Sequence, residues 1–324
     1  MAAVWARAAT GFGAAAGVSA IARLGQALSP RGAVAATAVG GLTVTGAGFW
    51  GGTALATFFV SSSLLGHLPA WRRLEQQRGN ERDAIQVLAN GGVAAVLALL
   101  SVLPAPSLRS SLLLGFGGAV AAATADTWAT EIGSRSRQRP RSAGTLRPVP
   151  EGASGGVTWA GLAAAAAGAA TIGAVLSAGS LWRHGTTRDR AIAVTLGGFA
   201  GAFIDSVLGA TVQEVRFCDV CREETERLVH RCGAATRPIR GAPWCTNDTV
   251  NALATVTGAA AAMAVSTHMD HRRRSRWRHC RVPFPRRITL ARCARETATW
   301  LGATPLTAGS SIARPATRRP AGRL

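Results

Sequence analysis

Residues Ser111 to Glu131 read SLLLGFGGAVAAATADTWATE. The run carries no charge until Asp126, and Glu131 closes it. A surface helix of a soluble domain alternates apolar and polar faces. This one is apolar all round, as a span through the hydrocarbon of a bilayer must be, and a span takes about 20 residues. The run decides the fold class because the pattern recurs at 2–22, 33–49, 51–67, 85–103, 157–180, 191–212 and 248–267. The expectation is an all-α, polytopic transmembrane helical bundle of eight helices, or seven if the first is not a span. That first stretch is rich in Ala and Gly and carries Arg7. Its Ser19–Ala20–Ile21–Ala22 also fits a signal-peptide cleavage site. The Gly-rich residues 46–52 separate the second and third stretches so briefly that a tight hairpin is expected.

Charge lies between these stretches. The 324-residue chain has a formal charge of +20, which in a soluble domain would point to nucleic acid. Here the charge occupies loops between apolar runs, so the expected partner is the lipid bilayer and not nucleic acid. Every basic residue is Arg and Tyr is absent, which we read as coding bias. The loops 68–84, 132–156 and 213–247 hold four, five and six Arg, against one in 104–110 and three in 181–190. Positive loops stay inside, so the first three are expected on the cytoplasmic side. Residues 268–324, with Arg272–Arg274, Pro283, Pro285 and Pro315, read as a basic disordered tail beyond a bundle of residues 1–267. This topology puts the tail outside, against the positive-inside rule. Small residues such as Gly91–Gly92, Gly197–Gly198 and Gly201 are expected to pack helices closely. No Walker-type phosphate loop is present.

Ionisable groups in membrane spans are costly and demand a reason. Asp126 and Glu131 sit at the inner end of the fifth stretch and Asp205 in the seventh, with no Arg inside either stretch. Three carboxylates near one face call for Mg²⁺ carrying phosphate oxygens. The alternative is that each acid is protonated or pairs with a loop Arg such as Arg135 or Arg147. Gln86 and Asn90 form a second polar group. The loop from Thr145 to Thr158, with Arg147 in it, turns through Gly and Pro into the sixth stretch, where backbone N–H groups can hold phosphate. Asn247, Asp248 and Asn251 open the last stretch, and either of the first two could equally be its N-cap.

The 213–247 loop runs Cys218-x-x-Cys221, His230-x-Cys232, then Cys245. That count and softness suit a structural Zn²⁺ site, with Cys218, Cys221 and Cys232 as thiolates and His230 or Cys245 as fourth ligand. Free structural cysteines are the alternative.

Taken together, the segments 86–92, 125–133, Val149–Pro150 with Gly155–Thr158, Asp205 to Gln213 and Asn247 to Asn251 resemble the membrane family of unknown function numbered ninety-two. Phe58–Ser63 fits its third helix, and the resemblance covers residues 1–267. That family includes transmembrane protein 19 of animals and the plant phytyl-phosphate kinase of vitamin E synthesis. The resemblance implies phosphorylation of a prenyl monophosphate to its diphosphate by a nucleotide such as CTP. On that reading Asp126, Glu131 and Asp205 are catalytic and hold Mg²⁺. Arg147 contacts phosphate, and Asn90, Gln213, Asn247, Asp248 and Asn251 position substrate. The chain departs from the family at Glu151–Gly152–Ala153–Ser154, where a Gly-Thr-Asn run is usual. Two other functions fit intramembrane acids and a cysteine-bearing loop. A transporter or channel would spread its acids through the membrane depth. A non-enzymatic scaffold would use the loop to recruit a partner.

Overall fold

The computed structural model describes residues 2–67, 81–103, 106–179 and 187–279. Helices α1 (Ala2–Leu24), α2 (Pro30–His67), α3 (Ala84–Leu100) and α4 (Pro106–Gly133) come first. Strands β1 (Arg141–Ser142) and β2 (Gly156–Val157) lead into α5 (Trp159–Ala178) and α6 (Thr187–Thr211). Strands β3 (Val215–Cys218), β4 (Glu223–Thr225) and β5 (Arg237–Arg240) precede α7 (Asn247–His279).

Eight expected stretches become seven helical elements because α2 holds two of them. Gly48 breaks it with φ 70° and ψ −163°, a backbone state that only glycine adopts without strain. The chain folds back there. Ser29 N–H donates to the Arg82 carbonyl at 3.0 Å, while the Arg82 guanidinium lies 5.7 Å from the Phe59 ring centre. The two ends of α2 therefore meet at one face, as a hairpin requires. Among the described residues, five segments are long and apolar enough to cross a membrane: Pro30–Gly66, Leu108–Gly133, Trp159–Ala178, Thr187–Thr211 and Asn247–Arg273. Ala84–Leu100 is a shorter apolar helix, and α1 is not among the five. Instead, α1 packs antiparallel along the first leg of α2, with Gly11 against Val44 and Gly40 against Ala15.

The core surrounds α4, where Phe116, Ala119, Ala121 and Ala125 are wholly buried. Backbones come close at glycines. A Cβ on Gly258 of α7 would lie 2.6 Å from the Gly118 carbonyl of α4, and one on Gly197 of α6 would lie 2.6 Å from the Gly258 carbonyl. Three helices can cross at this point only because no side chain stands between them.

The all-α expectation describes the bundle, and among the described residues the loops add two small sheets. β1 and β2 pair antiparallel, and β3 lies between β4 and β5 in an antiparallel ribbon. The last helix runs beyond the expected end at 267 to His279, and the first compact unit of the chain ends at Asp270. The tail expected to be disordered lies outside the described residues from 280 onward.

Candidate active site

Helices α3 and α7 begin, and α4 and α6 end, at the face where the two ends of α2 meet. Register then places the polar side chains. A Cβ on Gly201 of α6 would lie 2.6 Å from the Ala122 Cβ of α4 and 2.6 Å from the Ala254 carbonyl of α7. Residues four apart share a helix face. One turn further along, α4 and α6 therefore present Asp126 and Asp205 across the same seam. One turn back along the oppositely directed α7 stands Asn251. Thr255 Oγ1 donates to the Ala89 carbonyl at 3.4 Å, which sets Asn90 of α3 beside α7 about one turn deeper in the bundle than Asn251. A cavity of about 1790 Å³ opens here, lined by Asn90, Asp126, Glu131, Asp205, Gln213, Asn247, Asp248 and Asn251. Its walls continue over apolar residues of the bundle, including Val39, Leu55, Phe58, Phe59 and Phe199.

Local structure fixes several of these groups. Asp83 caps α3, accepting from Gln86 N–H at 2.9 Å, while the Gln86 side chain accepts from Asp83 N–H at 3.3 Å. Asn90 Nδ2 donates back to the Gln86 carbonyl at 3.0 Å. Thr246 takes the cap of α7, its hydroxyl accepting from Thr249 N–H at 3.3 Å. Asn247 and Asp248 thus stand inside the first turn and are not the N-cap that the sequence allowed. Gly155, with φ 74°, lies so close to Ala210 that any side chain would overlap the α6 backbone. The Gly-rich loop is thereby laid against α6 beside Ser206, and Glu151–Thr158 line the cavity.

Glu131 is held by an arginine of its own helix end. Arg135 Nη1 lies 2.9 Å from its Oε2 and also bonds its carbonyl, and Nη2 donates to the Leu65 carbonyl at 2.7 Å. The pairing with Arg135 weighed for these acids applies to Glu131, and the Arg ties the ends of α4 and α2 together. Of the predicted site residues outside the cysteine loop, Arg147 alone stands apart from the cavity. The turn from Ser142 to Arg147 closes on itself, with Leu146 N–H bonded to the Ser142 carbonyl at 2.8 Å, and it leaves Arg147 exposed. The cations that do line the cavity include Arg135, Arg216 and Arg227. Arg216 is held by Glu214 at 2.6 Å and Thr236 at 2.8 Å. The Arg227 guanidinium makes no hydrogen bond or ion pair among the described residues. Arg135 was legible from its place four residues after Glu131. Arg216 and Arg227 could not be singled out without the ribbon.

The ribbon supplies the cavity's rim. Gln213, almost wholly buried, donates through Nε2 to Glu226 Oε1 at 2.7 Å. Within the ribbon, one ligand atom each from Cys218, Cys221, His230 and Cys232 lies within 4.8 Å of the others. Cys218 Sγ is 3.6 Å from Cys232 Sγ, and His230 Nδ1 is 3.3 Å from Cys232 Sγ. The His230 contact holds the Cys232 thiol down at about 6, while bonding with Cys232 pushes Cys221 up to about 11. Cys245 is buried away from this group, and burial raises its thiol pKa.

The profile of a family described as integral membrane protein DUF92 matches residues 13–259, from within α1 into α7. The chain belongs to that family. Membership in DUF92 accords with a multi-pass membrane protein and with the resemblance read from the motifs. The DUF92 chain is similar to Protein PGR of Arabidopsis thaliana, 32% identical over 63% of this chain and 77% of that protein. An uncharacterized membrane protein of Methanocaldococcus jannaschii is 32% identical over 48% of this chain and 62% of its own length. Another from a Synechocystis strain is 30% identical over 65% and 71%. No solved structure matches.

Proposed function

We propose that this DUF92 protein is a prenyl-phosphate kinase, transferring a phosphoryl group from a nucleotide such as CTP to an isoprenoid monophosphate. The observation that carries the reading is a single cavity with a carboxylate and amide layer at one end and an apolar wall along its depth. The acceptor is a phosphate monoester whose second pKa is near 6, so it is already a dianion at neutral pH. One P–O bond to the donor's terminal phosphorus breaks, one to the acceptor oxygen forms, and a nucleoside diphosphate leaves. No proton has to be abstracted. Such a site needs charge neutralisation and positioning more than a base.

The donor set suits that demand. Asp126 and Asp205 offer two carboxylates across one helix seam, and Mg²⁺ takes one or two carboxylates with phosphate oxygens completing its shell. When bound, the metal would neutralise phosphate charge. Glu131, bonded to Arg135, acts in this reading by fixing the floor of the site. Arg227 takes the phosphate contact expected of Arg147. Asn90, Asn247 and Asn251 orient the substrate, and the N-terminal ends of α3, α5 and α7 add partial positive charge at the same face. Phe58, Phe59 and Phe199 receive the prenyl chain. The five Arg of 132–156 and six of 213–247 support a cytoplasmic site by the positive-inside pattern, and nucleotides are on that side.

Purified protein in lipid nanodiscs, given phytyl or geranylgeranyl phosphate, Mg²⁺ and CTP, should release the prenyl diphosphate. If no nucleotide supports turnover with any prenyl phosphate, the proposal fails.

A further inference from the structure

We propose that Cys218, Cys221, His230 and Cys232 bind one structural Zn²⁺, and that this ion fastens the β3–β5 ribbon as the outer wall of the cavity. The inference is independent of the kinase reading.

With Zn–S bonds of about 2.3 Å and Zn–N of about 2.0 Å, a tetrahedral site sets its ligands roughly 3.8 Å apart for S···S and 3.5 Å for S···N. The Cys218–Cys232 and His230–Cys232 separations are 3.6 and 3.3 Å. Each pair of ligands rides on its own tight turn. Arg222 N–H bonds the Cys218 carbonyl at 2.8 Å with Arg222 at φ 57°, and Cys221 N–H points at Cys218 Sγ at 3.5 Å. Gly233 N–H bonds the His230 carbonyl at 2.9 Å with Gly233 at φ 84°. Both turns aim their side chains at one point. His230 Nδ1 faces Cys232, and Nε2 lies 3.9 Å from Glu223, the kind of outer partner that sets a ligating imidazole's orientation.

The ribbon has too small a core to be stable alone. The three strands are four, three and four residues long, and Val220, Leu228, Val229 and Ile239 are exposed. So small a sheet with so little apolar burial does not hold itself together in water. A metal whose binding energy is folding energy provides what the core lacks. The Sγ–Sγ separation of 3.6 Å is far from a bond, which leaves the thiols available as ligands.

The full chain, purified reduced in detergent, should carry about one zinc per chain by mass-spectrometric metal analysis. Cys218→Ser and Cys232→Ser should lose it. Cys245→Ser and Asp126→Asn should keep it, which separates this result from any failure of the kinase reading. Because the serine variants could fail to fold, Co²⁺ exchanged into the unmutated chain gives a second measure. The expected spectrum has the intense visible bands of a tetrahedral ion and a near-ultraviolet thiolate charge-transfer band. Chelator stripping should raise amide exchange across residues 215–240 while α4 and α6 hold theirs. A zinc content near zero with reduced thiols, a weak octahedral cobalt spectrum, or equal metal loss in Cys245→Ser would each overturn the proposal.

Discussion

Replacing Gly201 with alanine tests the link between helix packing and site geometry. The added Cβ would stand 2.6 Å from Ala122 Cβ and 2.6 Å from the Ala254 carbonyl. Each gap falls about 0.8 Å short of the 3.4 Å at which ordinary contact begins. The two contacts come from α4 and α7, so α6 cannot relieve one by leaning on the other. It must move outward, and Asp205, one turn further along α6, moves with it. Overpacking of this kind costs about 1–3 kcal/mol. A misplacement near 1 Å in a catalytic constellation costs on the order of 10²-fold in rate. Intrinsic tryptophan fluorescence during heating, in detergent, should show a drop of several degrees in the apparent Tm. Prenyl-phosphate turnover should fall by roughly 10²-fold. Gly13→Ala, whose Cβ would have nothing within 4 Å, is the control and should change neither reading. If Gly201→Ala melts and turns over like the parent, the seam between α4 and α6 does not set the spacing of the two aspartates.

Asp126→Asn and Asp205→Asn should each cut turnover by at least about 10²-fold, the scale of a lost charge-stabilising group, with an apparent Tm close to the parent's. Equal loss of folded protein would instead make the acids structural. Thr246→Ala removes the cap of α7 and should cost about 1 kcal/mol, read as a lower Tm, while Asn247→Ala should spare Tm and raise KM for the prenyl phosphate. The reverse pattern would return the capping role to Asn247. Arg135→Ala strips the tie between Glu131 and the Leu65 carbonyl and should destabilise by about 1–3 kcal/mol, shown by earlier thermal aggregation. An unchanged aggregation temperature would mean that α2 and α4 are held together without it.

What the sequence made legible follows one-dimensional signals. Apolar runs found every helix among the described residues, and the crowded glycines between 46 and 52 found the hairpin that turns at Gly48. Intramembrane acids and spaced amides found the cavity, because a charge inside a span needs a functional or structural partner. Arg147 misled because its loop neighbours are Gly and Pro, and whether a turn aims a side chain inward depends on tertiary docking. That docking is set by Gly155 against Ala210, which no local pattern reveals. The cap of α7 is Thr246, one and two residues before the Asn247 and Asp248 that the sequence offered as alternatives, since all three are good caps and only backbone geometry chooses. The ribbon was invisible as strands because three- and four-residue segments carry too few alternations to register a period of two.

The ribbon's two roots are pinched together. Glu214 N–H bonds the Cys245 carbonyl at 2.8 Å, and Ala242 N–H bonds the Val212 carbonyl at 3.0 Å, so the chain leaves α6 and returns to α7 through a closed neck. A segment attached by a neck can be exchanged as a cassette: a different insert with the same two stems would leave α6 and α7 where they are. Because this insert brings Arg216, Glu226, Arg227 and Leu228 to the cavity, such exchange would alter what the mouth admits without disturbing the carboxylates beneath it. If the cavity is the proposed kinase site, its selectivity and its chemistry are thereby free to diverge separately within one bundle.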